Sequence, residues 1–152
     1  MNKETKVEKY QLLLEQIKAL SAGETDEVAV MANVAAAIHL EMGFWWTGFY
    51  RVQNDELVLG PFQGPVACMH IGYGKGVCGT SWKQQSTVVV PDVELFPGHI
   101  ACSSESRSEI VVPVFSSGQI IAVLDIDSKD LSTFDDVDKL WLEEIVKVFD
   151  KK

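Results

Sequence analysis

Three cysteines, Cys68, Cys78 and Cys102, stand in the middle third of this chain, and three carboxylates, Glu109, Asp125 and Asp127, follow them. Both groups border a stretch rich in turn residues, with Gly72, Gly74, Gly76, Gly79, Pro91, Pro97 and Gly98. Thiols that can lose a proton and acids that can hold or give one are the ingredients of cysteine redox chemistry. In a chain of 152 residues they can reach one cavity.

Taken singly, the cysteines differ. Cys78, in Gly76-Val-Cys-Gly79, has the setting of a small buried hydrophobe as much as that of a reactive thiol. Cys102, in His99-Ile-Ala-Cys-Ser-Ser104, has few apolar neighbours, and loop amides or Arg107 can lower its pKa. Cys68 falls at the edge of an expected strand beside the glycine loop. The acids are the odder feature. In Val123-Leu-Asp-Ile-Asp127, alternation puts Asp125 and Asp127 on one face of a strand, about 7 Å apart. They repel unless a cation or a shared proton lies between them. Glu109 opens the neighbouring expected strand and can bring a third acid to the pair. Such a cluster binds an ammonium group, holds a metal, or keeps one proton at neutral pH; a solvated sheet face is the plain alternative.

Other chemistries fit less well. Cys68, His70, Cys78, His99 and Cys102 are metal-ligand types, but no Cys-x-x-Cys or His-x-x-x-His spacing occurs, so no metal site is expected. A cysteine–histidine hydrolase using His70 or His99 explains neither the cysteine trio nor the acids. Gly72-Tyr-Gly-Lys-Gly-Val-Cys-Gly79 lacks the Gly-Lys-Ser/Thr ending of a phosphate loop. Its backbone amides suit a carboxylate at a helix N-terminus instead.

The elements that must position these groups follow from periodicity. Tyr10, Leu13, Leu14, Ile17 and Leu20 repeat at helical spacing and stop before Gly23. A second helix is expected to start near Thr25, bury Val28, Met31, Ala32, Ala35 and Ile38, and end at Gly43. Trp45–Val52 and Leu57–Leu59 flank a turn at Gln53-Asn-Asp55, a hairpin signal. A third strand is expected over Val66–Ile71, a short helix over Val77–Gln85, and a strand over Thr87–Val90. Asp92–Ser108 is aperiodic and long enough to act as a functional, lid-like loop. Glu109–Phe115 and Gln119–Asp127 form a second hairpin. Ser132 or Thr133 is expected to cap a last helix that buries Phe134, Val137, Leu140, Trp141, Ile145 and Val148. The fold class is α+β, a mainly antiparallel sheet of about six strands flanked by N- and C-terminal helices. Residues 1–152 form one expected domain, with helix 1–23 a possible homodimer element.

Composition sets the surroundings. Apolar residues make up 47% and charged residues 23%, a globular profile. A net charge of −9 argues against nucleic acid and anionic membrane as partners. No segment approaches the roughly 18–20 apolar residues that span a bilayer. The start, MNKETKVEKYQ, has no apolar signal core. A cytoplasmic location is therefore expected, where thiols work rather than staple.

Trp45-Trp-Thr-Gly-Phe-Tyr50, Gly60-Pro-Phe-Gln-Gly64, Gly74-Lys-Gly-Val-Cys-Gly79 and Leu124-Asp-Ile-Asp-Ser128 resemble the GAF-domain free methionine-(R)-sulfoxide reductases. The likeness runs from about residue 25 to the C-terminus. The family's cysteine steps of ten and then twenty-four residues recur at Cys68, Cys78 and Cys102. The resemblance implies that Cys102 is the nucleophile, Cys68 the resolving thiol and Cys78 an auxiliary. It implies that Glu109, Asp125 and Asp127 contact the sulfoxide oxygen and the substrate amino group. Trp46, with Tyr50, would wall the S-methyl group. The implied substrate is free L-methionine-(R)-sulfoxide, and the implied reductant thioredoxin or a similar dithiol. No cofactor or metal is required by this chemistry. The rival reading is a GAF-type sensor that binds a small molecule without turnover.

Overall fold

The computed structural model describes residues 1–100, 102 and 104–151. Two N-terminal helices, α1 (Lys3–Ser21) and α2 (Glu27–Met42), precede the hairpin β1 (Trp46–Gln53) and β2 (Glu56–Gln63). Then come β3 (His70–Gly72), α3 (Gly76–Gln84), β4 (Val88–Val90) and a 3₁₀ turn at Val93–Leu95. The hairpin β5 (Ser108–Ser116) and β6 (Gln119–Ser128) leads into α4 (Asp136–Ile145). The strands form one antiparallel sheet in the order β3-β2-β1-β6-β5-β4. This is the expected α+β architecture, with the expected six strands. Among the described residues, no helix is long and apolar enough to cross a membrane.

Both hairpins turn through left-handed residue pairs, Asn54–Asp55 and Ser117–Gly118. Two successive residues at positive φ match the turn to the right-handed strand twist. Alternation then sends the residues of β5 and β6 to opposite faces. Ile110, Val112, Ala122, Leu124 and Ile126 join Tyr10, Leu13, Ile17, Met31, Val34, Ile38, Leu142 and Ile145 in the larger core, under α1, α2 and α4. Trp46, Tyr50, Val111 and Val123 face the other way, against Ile71, Val77, Cys78, Val90 and Val93. Both faces of the sheet are thus covered. The acids sit on the second.

Helix ends follow their caps, with one displacement. The side chain of Asp26 accepts from the amides of Val28 and Ala29, and left-handed Gly43 ends α2. The last helix does not start at Ser132 or Thr133. Ser132 sits at φ 53°, and the Thr133 hydroxyl is 2.6 Å from Ser128 Oγ. Both lie before the helix, and Asp135 caps α4 through a capping box with Asp138. Three expected core residues of α2 and α4 are exposed, Val28, Ala32 and Leu140. Leu140 lies two positions from both buried Asp138 and buried Leu142, which turns it roughly 200° away from them. Leu20, expected on the buried face of α1, is also exposed in its last turn.

One buried polar knot ties α1 to α4. Asp138, with no exposed surface, accepts from Lys6 Nζ and from the Tyr10 hydroxyl at 2.6 Å. Lys6 Nζ also donates to the Thr133 carbonyl at 3.1 Å. Asp138→Ala takes from the buried Lys6 ammonium its nearest carboxylate, leaving Asp135 Oδ2 at 3.3 Å, removes the acceptor of the Tyr10 hydroxyl, and breaks the capping box. We expect a loss of about 3–5 kcal/mol, visible as a melting point lowered by on the order of 10 °C.

Candidate active site

The three acids meet through strand register. Glu109 on β5 lies opposite Asp127 on β6, and Asp127 is in turn opposite Trp46 on β1. One step along, Val111, Asp125 and Gly48 form the next row. Directly opposed residues share a face, so Trp46, Glu109, Asp125 and Asp127 all point into one cavity. Glu109 and Asp125 are buried, while Asp127 keeps partial contact with solvent. Ser106, just before β5, donates its hydroxyl to Asp127 Oδ1 at 2.9 Å.

Trp46 forms a wall because two glycines make room for its ring. A Cβ at Gly48 would collide with Trp46 and Phe62, and one at Gly64 would meet Trp46 and the Trp45 carbonyl within 2.9 Å. The indole stacks on Phe62 at 5.3 Å and on Tyr50 at 6.1 Å, and donates its N–H to the Pro65 carbonyl at 2.9 Å. The Tyr50 hydroxyl donates to the Cys68 carbonyl at 2.9 Å. The aromatic wall therefore holds the segment that carries Cys68.

The glycine loop serves close backbone packing. A Cβ on Gly79 would stand 2.5 Å from the Gly72 carbonyl oxygen, and Gly74 N–H donates to the Gly79 carbonyl at 3.0 Å. This folds the loop onto the first turn of α3, whose Lys75, Gly76, Val77 and Cys78 line the cavity. The opening amides of a helix suit an anion.

Cys68 and Cys102 are joined in a disulfide, with Cα atoms 5.4 Å apart. Cys102 is exposed and lines the cavity mouth. Cys68 is not on a strand edge: β3 begins only at His70, and Cys68 lies in the irregular stretch before it. Pro65 has no amide for a ladder, and the carbonyls of Pro65 and Cys68 are already taken by Trp46 and Tyr50. The 92–108 loop is pinned at its near end by buried Val93 and by Val93 N–H to the Arg107 carbonyl. Cys78 is free and buried.

The electrostatics follow from packing acids together out of water. Burial, reinforced by Asp125 and Asp127, pushes the Glu109 carboxyl well above the usual carboxylate range. Burial, then Asp125, also pushes Asp127 up, against the Ser106 hydrogen bond. Since Asp127 still touches solvent, the firmer shift belongs to Glu109. Burial raises Asp125 as well, but Glu109, Cys78 and His99 hold it back. Burial raises all three acids, and Asp125 is the one whose rise its neighbours' hydrogen bonds and His99 most oppose. Burial, then Asp125, drives the Cys78 thiol well upward, so it stays a thiol. Tyr50 is likewise pushed up by burial and by Asp125.

Asp125 Oδ1 is buried and, among the described residues, accepts no hydrogen bond. One ligand atom each from Cys78, Glu109 and Asp125 lies within 4.8 Å of the others, a pocket for a cation such as an ammonium. Two further lining residues had no assigned place in the sequence reading of this site. Ser106 carries no local signal. His99, weighed there only as a ligand or base, has Nε2 4.0 Å from Glu109 Oε1, and burial lowers its pKa.

Residues 24–148 match the GAF domain family. The chain belongs to that family. This GAF chain is 46% identical to the free methionine-R-sulfoxide reductase of Saccharomyces cerevisiae, over 99% of its own length and 87% of the relative's. It is 44% identical to the Escherichia coli enzyme of the same name, covering 96% and 89%. Its fold superposes on the crystal structure of the free methionine-R-sulfoxide reductase from Neisseria meningitidis in complex with its substrate, with a TM-score of 0.90. That pair shares 54% identity over 92% of this chain and 85% of the other.

Proposed function

We propose that this chain reduces free L-methionine-(R)-sulfoxide to L-methionine, the activity that its relatives' names carry. The observation that supports it most is the Cys68–Cys102 disulfide at the mouth of a cavity whose floor is Glu109, Asp125 and Asp127. A binding module needs neither a paired thiol couple nor buried acids whose pKa the packing pushes upward.

In this reading Asp125, the anionic member with an unpartnered oxygen, receives the substrate ammonium. The first amides of α3 face the carboxylate. Trp46, backed by Tyr50, walls the S-methyl group. Glu109, kept protonated by burial, gives its proton to the sulfoxide oxygen, and Asp127 supports it. The Cys102 thiolate attacks the activated sulfur. The hydroxyl passes from the substrate sulfur to Cys102 Sγ as the new S–S bond breaks, its electron pair staying on the substrate sulfur, so that methionine leaves and Cys102 is a sulfenic acid. The Cys68 thiol condenses with it, releasing water and closing the disulfide. Cys78 is the auxiliary, a neutral thiol beside Asp125 rather than a second nucleophile.

A dithiol protein of the thioredoxin type then returns both thiols by exchange, in a reducing cytoplasm. Coupling wild-type turnover of free methionine sulfoxide to thioredoxin, thioredoxin reductase and NADPH tests the reading. Sustained NADPH oxidation is expected. Saturable binding without oxidation, with dithiothreitol equally idle, is the behaviour of a sensor.

A further inference from the structure

The disulfide lies among exposed apolar side chains. Met69 is 69% exposed, Val66 88% and Ile100 38%. The strip Pro65-Val-Ala-Cys-Met69 carries no charged side chain, in a chain that is 23% charged. Exposed apolar residues scattered singly mean little, but a group of them around one reactive bond marks a contact surface. The backbone of the strip has free donors and tied acceptors. Among the described residues, the N–H groups of Val66, Ala67 and Cys68 donate no hydrogen bond. The carbonyls of Pro65 and Cys68, by contrast, are tied to Trp46 and Tyr50 beneath.

We infer that Val66–Met69, with Ile100 across the mouth, is the docking surface for a protein dithiol reductant. The inference rests on the reductase reading above. The occupant is set by the chemistry at the centre of the strip. A disulfide with one exposed cysteine regains its two thiols only when two electrons arrive. A partner thiolate attacks one sulfur and forms a mixed disulfide, while the other sulfur leaves as a thiolate. The partner's second thiol then breaks the mixed bond, and the partner departs oxidised. To bring a thiolate that close, a protein must cover the surrounding surface, and an uncharged apolar collar with free amides suits an apolar face around a surface cysteine. A small peptide thiol bearing carboxylates and an ammonium meets no opposite charge on the strip. A small dithiol such as dithiothreitol needs only the sulfur itself.

That difference gives the test. Met69→Glu and Met69→Lys put a charge on the collar at a position outside the cavity lining and exposed enough to keep the fold, which a melting curve verifies. Each should lower kcat/KM for thioredoxin about tenfold or more, the equivalent of roughly 1.4 kcal/mol of lost contact. Turnover with dithiothreitol, and release of one methionine per reduced enzyme without added reductant, should stay within about twofold. Unchanged kcat/KM for thioredoxin, or an equal fall with dithiothreitol, overturns the surface. Wild-type turnover with dithiothreitol but not with thioredoxin overturns it too, while the reductase reading survives. Absence of methionine with every reductant removes both.

Discussion

Cys102→Ser should release no methionine, not even one molecule per enzyme, whereas reduced Cys68→Ser should release about one and then stop. The asymmetry follows from the division of labour proposed for a bonded pair with Cα atoms 5.4 Å apart. Without Cys102 no thiolate stands at the cavity mouth to attack sulfur. Cys78 cannot replace it, because burial and the adjacent Asp125 hold it in the thiol form. Without Cys68 the first reduction still runs, but the sulfenic acid on Cys102 has no partner to condense with. Rapid quench at a known enzyme concentration counts the methionine. Multiple turnovers in Cys102→Ser would move the nucleophile elsewhere. Cys78→Ser, by contrast, should lose only part of the activity.

Removing a proton from the floor of the site should be nearly as damaging. Glu109→Gln is isosteric but cannot protonate the sulfoxide oxygen. The reduction step should slow by roughly 10²–10⁴-fold, with Asp127→Asn affected in the same direction. Asp125→Asn should instead act mainly through KM, since it removes the charge offered to the ammonium. The pH dependence has a fixed sign. A buried acid whose pKa is raised in the fold favours the native state while protonated, and that contribution is lost as pH rises through the raised value. The reduction step should therefore weaken as pH rises through that range. Glu109→Gln should in turn be more stable than wild type at neutral and alkaline pH, and the gain should vanish below the ordinary carboxylate range. Equal rates and equal melting curves for Glu109→Gln and wild type would reduce the cluster to a passive sheet face.

Much of this arrangement was legible from local pattern. The period of two in Val123–Asp127 put Asp125 and Asp127 on one face, and the turn residues Asn54–Asp55 and Ser117–Gly118 announced both hairpins. What stayed hidden was set by long-range contacts. Alternation alone left both faces of β6 in question, with acids on one and Leu124 and Ile126 on the other. The register that sets Glu109 beside Asp127, and the helix and loop that cover them, come from distant segments. Cys68 was expected on a strand, but Tyr50, Trp46 and Cys102 hold its segment outside the sheet. Gly48 carries no local turn signal, and its role is visible only when the Trp46 ring lies across it. Ser132 and Thr133 looked like helix caps by type alone. Ser128 claimed Thr133, and the start of α4 moved to Asp135.

The central claim is that the cavity reads a free amino acid with a stereogenic sulfur. In the proposed mechanism the Cys102 thiolate, the Glu109 proton and the Trp46 wall set three points around that sulfur, and Asp125 with the α3 amides holds the two charged ends. Racemic free methionine sulfoxide and its N-acetyl derivative, incubated in parallel with the protein and dithiothreitol and separated by epimer-resolving chromatography, decide it. The account predicts that the R epimer of the free amino acid disappears while its S epimer and both acetylated epimers remain. Equal consumption of free and acetylated substrate, or loss of both free epimers at one rate, would contradict it.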